Sequence, residues 1–294
     1  ITHIETESQE NPLLTEARKR IEPYQGCIAA GGFHTLAIQT NGVVVADGDK
    51  KQCQLVNGWK GIVKVAAGSF FSVGIRQDGT ITITEGDKST FDDISMWSDI
   101  VAIDASNFDV VGLKADGTVV GVGANGGGIK YNGWRDIIAI STSGNHTLSL
   151  QADGKVVAMG QNKHGECNTS NWKNIVGIAA AEKFSLGLRS DGTIMIAGKI
   201  GNDLQAIRSW SDIVVIAANE SYVVGLTADG DVRFAADVCI YGVDKSAEWH
   251  NIVAISVASR HRVGLKRDGS VVAVGKKSDG INTSAWHSIG PNQF

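Results

Sequence analysis

The side chains best equipped for chemistry in this chain of 294 residues recur at near-equal intervals. Asp78, Asp116, Asp153, Asp191, Asp229 and Asp268, with Asn41 in line before them, each precede a glycine at steps of 37 to 39 residues. Carboxylates of this kind suit general acid–base work. Here each one sits beside Gly between two apolar stretches, the signature of a tight β-hairpin, so turn chemistry accounts for them. The seven tryptophans, Trp59, Trp97, Trp134, Trp172, Trp210, Trp249 and Trp286, keep the same step. Equivalent positions favour packing between repeats over a ligand cage. Cys27, Cys53, Cys167 and Cys239 form no C-x-x-C pair and no zinc spacing, and free thiols are expected. Spacing reveals no Ser/His/Asp or Cys/His constellation and no phosphate loop. Catalytic residues, metal ligands and cofactors are therefore all assigned as none.

Two independent markers in register over seven copies define a repeat protein. Within each copy, Trp leads into an apolar run such as Ile100-Val101-Ala102-Ile103. A short loop follows, and then a large-small-large triplet such as Val111-Gly112-Leu113 or Leu186-Gly187-Leu188. After the hairpin turn comes a third β-rich run, such as Val271-Val272-Ala273-Val274, and then a polar loop of about ten residues. Residues two apart share a face of a strand, so the middle strand has one bulky face and one small one. Glycine inside a strand marks close approach by another group, so both faces are expected to be buried. No helical pattern falls between copies. Seven short antiparallel sheets arranged radially make an all-β fold, a seven-bladed β-propeller with mainly three-stranded blades.

Counting back in register places Glu22 where the first copy should carry Trp, and the first strand that follows, Gln25-Gly26-Cys27-Ile28, is poor. The C-terminus supplies Trp286-His287-Ser288-Ile289, which is expected to complete the first blade. Upstream, "NPLLTEARKRI" offers Asn11 as N-cap, Pro12 at the first helical position and Leu13, Leu14, Ala17 and Ile21 as an apolar side. The division is thus residues 1–21, a helical extension or linker, and 22–294, the propeller closed by its C-terminal strand.

Composition narrows function. The chain is 43% hydrophobic and 20% charged with a formal charge of −4. Without a Lys/Arg cluster it is a poor candidate for nucleic acid. No apolar run reaches the roughly 20 residues of a membrane helix. The chain starts at Ile1 rather than Met, which predicts a fragment or processed product. A monomer is expected.

"NIVGIAAAEKFSLGLRSDGTIMIAG" and "DIIAISTSGNHTLSLQADGKVVAMGQNKHGECNTSNW" resemble regulator-of-chromosome-condensation repeats, most of all the short bacterial form, with its W-x-D-I-V-A-I, H-T/S-x-G-L, D-G-T-V-V-A-x-G and G-x-C elements. The resemblance spans about residues 22 to 290 and implies a seven-bladed propeller. It does not imply one activity, because the family includes a guanine-nucleotide exchange factor, a plant ultraviolet receptor and a secreted bacterial inhibitor of β-lactamase. A bacterial origin, with a secreted or cell-surface location ahead of a cytoplasmic one, is the corresponding expectation. The motif histidine stands at His34, His146 and His261 but is Phe71, Asp109, Phe184 and Tyr222 elsewhere. In blades 1, 4 and 7 these histidines are too dispersed for a metal ring, and a capping hydrogen bond at each blade is the expected role.

The loop pair just before that position varies most: Gly32-Phe33, Ser69-Phe70, Asn107-Phe108, Gly144-Asn145, Glu182-Lys183, Glu220-Ser221 and Ser259-Arg260. All seven loops should open on one face. Phe33, Phe70 and Phe108 fall on successive blades, with Arg260 next to Phe33 around the ring. Either these rings tuck into the central funnel or they form an aromatic contact patch of the composition favoured at protein interfaces. Phe33, Phe70, Phe108, Asn145, Lys183 and Arg260 are thus the candidate residues for a protein partner, with Phe91, Met96, Tyr131 and Ile207 of the long loops as a second surface. Three functions follow: a non-catalytic protein-binding module, inhibitor-like as a special case; a carbohydrate- or small-ligand-binding propeller; and an exchange factor for a small GTPase.

Overall fold

In the computed structural model the described residues are 11–84, 91–123, 131, 133–236, 248–275 and 281–292, residue 92 by its backbone alone. Cys239 and most of the loop "GANGGGIKYNGW" lie outside them. Seven three-stranded antiparallel sheets follow one another, each in chain order. In the first blade these strands are β1 (Ile28–Ala30), β2 (His34–Ile38) and β3 (Val44–Gly48). The first strands of successive blades touch, and those of blades 7 and 1 touch as well, so the ring closes. The first strand of each blade is innermost, since its end lines one shared central cavity. This is the seven-bladed, mainly three-stranded propeller that the repeats predict.

The core is divided among the seams between blades. Leu36, Ile38 and Val44 of blade 1 pack with Ile62 and Val65 of blade 2 and with Trp59. Phe71, Val73 and Ile75 of blade 2 pack with Trp97, Ile100 and Val110. Trp59, Trp97, Trp172, Trp210 and Trp249 are each wedged into a seam over the glycine of a middle strand. A Cβ on Gly112 would lie 2.9 Å from the Trp97 ring and one on Gly187 2.7 Å from that of Trp172, so the alternation of large and small residues is a socket for the indole. Blade 1, with Glu22 in place of Trp, carries Ala37 at that position.

The hairpins differ in detail from a two-residue turn. Arg76 N–H donates to Thr80 O at 2.8 Å and Gly79 N–H to Arg76 O at 2.9 Å, which makes Gln77-Asp78-Gly79 a three-residue loop. Only Gly79 takes a positive φ, +79°, as in a type I turn followed by a left-handed residue. Asp78 accepts from Thr80 N–H at 3.0 Å and from its hydroxyl at 2.6 Å, and Asp116, Asp191 and Asp268 repeat the arrangement. These donors hold the exposed carboxyls of Asp78, Asp116 and Asp268 below the usual carboxylate range.

A second left-handed position opens the inner strands: Asp99, Asp136, Asn174, Asp212, Asn251 and Ser288, with φ between 58° and 60°. Asp and Asn tolerate this conformation. Ser288 belongs to the C-terminal copy, where Ile289 forms an antiparallel bridge with Gln39, and Thr40 N–H donates to Ser288 O at 2.8 Å. Ile289 thus takes the first inner-strand position of blade 1, and β1 supplies the rest.

Helix α1 (Pro12–Ile21) is capped by Asn11, whose side chain accepts from Leu13 N–H. Leu14, Ala17 and Ile21 are buried against blades 6 and 7, while Leu13, placed on the apolar side by sequence, is 79% exposed. A helix also falls between copies, against the sequence expectation: α2 (Lys50–Val56), capped by Asp49. Seven residues are too few to display a helical period. Short 3-10 helices at Asp92–Met96 and Asp203–Ser209 fill the same position after their outer strands.

Candidate functional site

The seven inner loops open on one face around a central cavity of about 460 Å³. Its wall is small and polar, with Ser69, Ser106, Asn107, Ser143, Asn145 and Asn219 among the lining residues. The first residue of six of the seven variable pairs lines this funnel: Gly32, Ser69, Asn107, Glu182, Glu220 and Ser259. The second stands on the rim, except Asn145, which lines the funnel itself.

Rim side chains form a continuous ridge over blades 7, 1 and 2. The Arg260 guanidinium lies 4.6 Å from the Phe33 ring centre, and Phe33 stacks on Phe70 at 5.0 Å with 25° between planes. Phe33 is half-buried within this stack, while Phe70 is 53% and Phe108 48% exposed. The rings stand outside the funnel wall, so the alternative in which they fill the cavity is set aside. Asn107 of blade 3 braces blade 2 by accepting from the Ser69 hydroxyl at 2.8 Å. Lys183 is exposed on blade 5 and Asn145 is half-buried on blade 4, both apart from the ridge.

Electrostatics differ around the mouth. Glu220 is raised above its usual range, first by a hydrogen bond with Glu182, then by burial and the charge of Glu182, with Lys183 opposing. Asp104, deeper in the wall, is raised to about 6 by burial, although the Thr142 and Ala105 N–H groups and the Ser141 hydroxyl favour its charged form.

The histidines join blades. His34 Nε2 meets the Ser72 hydroxyl at 2.8 Å, His146 Nε2 that of Ser185 at 2.7 Å, and His261 Nε2 that of Thr35 at 2.6 Å. Each histidine thus makes a hydrogen bond at its blade, and each of these bonds crosses the seam to the next blade. Ser185 spends its proton on Glu166 O at 2.7 Å, so it accepts from His146, which fixes the Nε2–H tautomer. Burial pushes His34 and His146 down to about 4. At three of the four positions where the motif histidine is replaced, the facing residue changes too: Phe71 shares an apolar cluster with Val110, Phe184 with Val223, and Tyr222 lies under Arg262, whereas Thr147, which faces Asp109, keeps its hydroxyl.

The second candidate surface is mostly core. Phe91, Tyr131 and Ile207 are buried, and Met96 alone is exposed. Phe91 packs on Phe71 at 4.8 Å, and Tyr131 packs on Trp134 while its hydroxyl meets Thr147. With three strands per blade, Phe91, Tyr131 and Ile207 cover seams that a fourth strand would otherwise shield. Cys27, Cys53 and Cys167 are free thiols, each raised to about 11 chiefly by burial. Among the described residues no helix is long and apolar enough to cross a membrane.

Residues 137–166 match the family model of the regulator of chromosome condensation (RCC1) repeat. Among curated proteins none matches the chain by sequence. Among solved structures, the CRINKLY WD40 ectodomain of the Arabidopsis thaliana receptor kinase ACR4 is similar over 85% of this chain and 96% of its own, with a TM-score of 0.66 and 13% identity. The ectodomain of the Physcomitrella patens receptor kinase CR4 gives 0.65 and 15% identity over 85% and 73%. Prp20p of Saccharomyces cerevisiae, a protein with binding properties to Gsp1p and histones, gives 0.52 and 16% over 90% and 75%. At these identities the likeness is one of fold.

Proposed function

From a ring of seven repeats of the regulator-of-chromosome-condensation type, we propose that this chain is a non-catalytic module that binds a protein partner through the inner-loop face. One observation carries the reading: the Arg260–Phe33–Phe70 stack, continued by exposed Phe108, on the face where the repeat leaves identity unfixed. Exposed large aromatics beside an arginine are the composition of interface hot spots. Lys183 extends the contact to blade 5 on the same rim, and Asn145 extends it to blade 4 from the funnel wall. An inhibitor-like role is the special case in which the ridge enters the partner's own site. Prp20p, with its binding to Gsp1p, gives the exchange-factor alternative a precedent in fold, but no residue of this chain argues for it.

The test is a comparison of partners captured by the parent protein and by Phe33→Ala/Phe70→Ala/Phe108→Ala. A partner held by the parent and lost from the triple variant, with the two melting together, is the expected result. A variant that unfolds would make the rings core and end the proposal. The polar funnel favours a second reading, a carbohydrate or other small polar ligand bound among Ser69, Ser106, Asn107 and Ser143. A glycan array and a thermal-shift screen test it, with Ser106→Leu expected to abolish any stabilisation found.

A further inference from the structure

On the opposite face, where the hairpin turns lie, each seam forms a groove between the turn of one blade and the start of the next inner strand. The chain fills several of these grooves with its own terminal segments. In the groove between blades 5 and 6, helix α1 seats Leu14 over Gly192, its Cδ1 2.9 Å from where a Cβ would stand. One turn later Arg18 donates to the carbonyls of Arg189, Ser190 and Ile213 at 3.0, 3.1 and 3.3 Å. Between blades 6 and 7, Arg20 donates to Ala228 O at 2.8 Å. Between blades 1 and 2, Asn292 from the C-terminal tail lies over Gly42 and donates to Ile62 O at 2.9 Å. Two unrelated segments thus put a donor on the same repeat-equivalent carbonyl, Ile62 or Ile213.

The groove between blades 2 and 3 is built from the same parts and is open, with a volume of about 380 Å³. Arg76, Gln77, Gly79 and Ile100 stand where Arg189, Ser190, Gly192 and Ile213 stand in the filled groove. The backbones agree: Gly79 N–H donates to Arg76 O at 2.9 Å as Gly192 N–H does to Arg189 O at 3.0 Å, and Ile100 N–H donates to Gly79 O as Ile213 N–H does to Gly192 O. The apolar floor corresponds as well. Val214 is buried beneath α1, whereas its equivalent Val101 is 44% exposed. Asp78 and Asp99 line the open groove, and Asp78 is held in its charged form by Thr80, so the edge is acidic. The Arg76 guanidinium is turned aside to Ile81 O at 2.9 Å.

We propose that the groove between blades 2 and 3 docks an amphipathic helix of a protein partner, one that presents an aliphatic side chain to Val101 and Gly79 and, four residues later, an arginine to the carbonyls of Arg76, Gln77 and Ile100. The filled groove between blades 5 and 6 supplies the pattern of the ligand: leucine at i and arginine at i+4 lie on one helix face. The site is on the face opposite the aromatic ridge and does not depend on that reading.

The probe is a stapled helical peptide with the sequence of residues 11–22, titrated against the whole chain by fluorescence anisotropy. Saturable one-to-one binding is expected. It should weaken about tenfold or more in Val101→Glu and equally when the peptide carries Arg18→Glu, and persist in Ile138→Glu, which alters the next groove. The peptide substitution keeps the test valid should the Val101 variant melt early. No saturation up to about millimolar peptide overturns the proposal. So does undiminished binding to Val101→Glu, which would place the peptide elsewhere or in exchange with α1.

Discussion

The seams between blades 1 and 2 and between blades 2 and 3 are built at the same repeat position by opposite chemistry. In the first, His34 crosses to the Ser72 hydroxyl at 2.8 Å, with both side chains fully buried. In the second, Phe71 stands in place of histidine and shares an apolar cluster with Val110 in place of serine. Changing one partner alone would strand a polar group in a dry seam, so the two positions vary as a pair. Variation at this position therefore reports how a seam is glued. One residue earlier, Phe70 and Phe108 stand under no such constraint, since they face outward.

The largest break in the comparison is to remove a seam altogether. Deleting residues 285–294 takes away Ile289, which is 2% exposed, its bridge to Gln39 and the bonds to Thr40 and Ile38. Burial of one isoleucine is worth about 2–3 kcal/mol and each bond about 1 kcal/mol, so a loss on the order of 5 kcal/mol is expected in denaturant melts. A deletion that melts like the parent would show that the tail closes nothing.

A smaller effect sharpens the contrast of seam types. His34→Phe leaves the Ser72 hydroxyl buried without its partner and should cost about 2–3 kcal/mol; Ser72→Val, which strands the imidazole, should cost a similar amount. The double variant converts the polar seam to the type found between blades 2 and 3. It should cost less than the sum of the single changes by about 1–2 kcal/mol. Strict additivity would mean that the two positions do not form a unit.

Polar and apolar seams also differ in response to acid. Burial holds His34 and His146 neutral, with folded values of about 4 against 6.5 for an exposed imidazole. The unfolded chain therefore binds more protons between these values. Stability contributed by the neutral pairs is complete above about pH 6.5 and is lost as pH falls toward 4, by at most about 3 kcal/mol for each histidine. Urea midpoints measured across this window should fall, and the His34→Phe/Ser72→Val variant should show a shallower slope. A pH-independent midpoint would place the histidines in contact with water.

How far this molecule was readable from sequence follows the same division. The seven copies, the tryptophan register and the tail that bridges to blade 1 are periodic features, and periodicity needs no coordinates. The short helix α2 carries no period, and the loops bearing Phe91, Tyr131 and Ile207 read as surface because their polar neighbours are, although those side chains fold inward. The adjacency of Arg260, Phe33 and Phe70 follows from register around a closed ring. Which way the rings point does not, because sequence counts positions along a loop and says nothing of rotamers. The pairing of His34 with Ser72 had a usable signal: whenever the motif histidine is lost at Phe71 or Phe184, the hydroxyl is lost one blade on, at Val110 or Val223.

The smallest stability effect is expected on the aromatic rim, and its smallness is the point. Phe70 stacks on Phe33 at 5.0 Å but is 53% exposed, so its removal forfeits one stacking contact and little buried area. Such a pair is worth about 0.5–1.5 kcal/mol beyond area, and Phe70→Ala should shift the melt by no more than that. The seam residue next to it, Phe71, is 2% exposed, and Phe71→Ala should cost about 3–5 kcal/mol. Two phenylalanines adjacent in sequence would then differ severalfold in their contribution to folding. Only the outward one is spare for a partner, so loss of partner capture without loss of fold should belong to Phe70 and not to Phe71. If the two substitutions destabilise equally, Phe70 is seam rather than surface, and the rim is no different in kind from the joints beneath it.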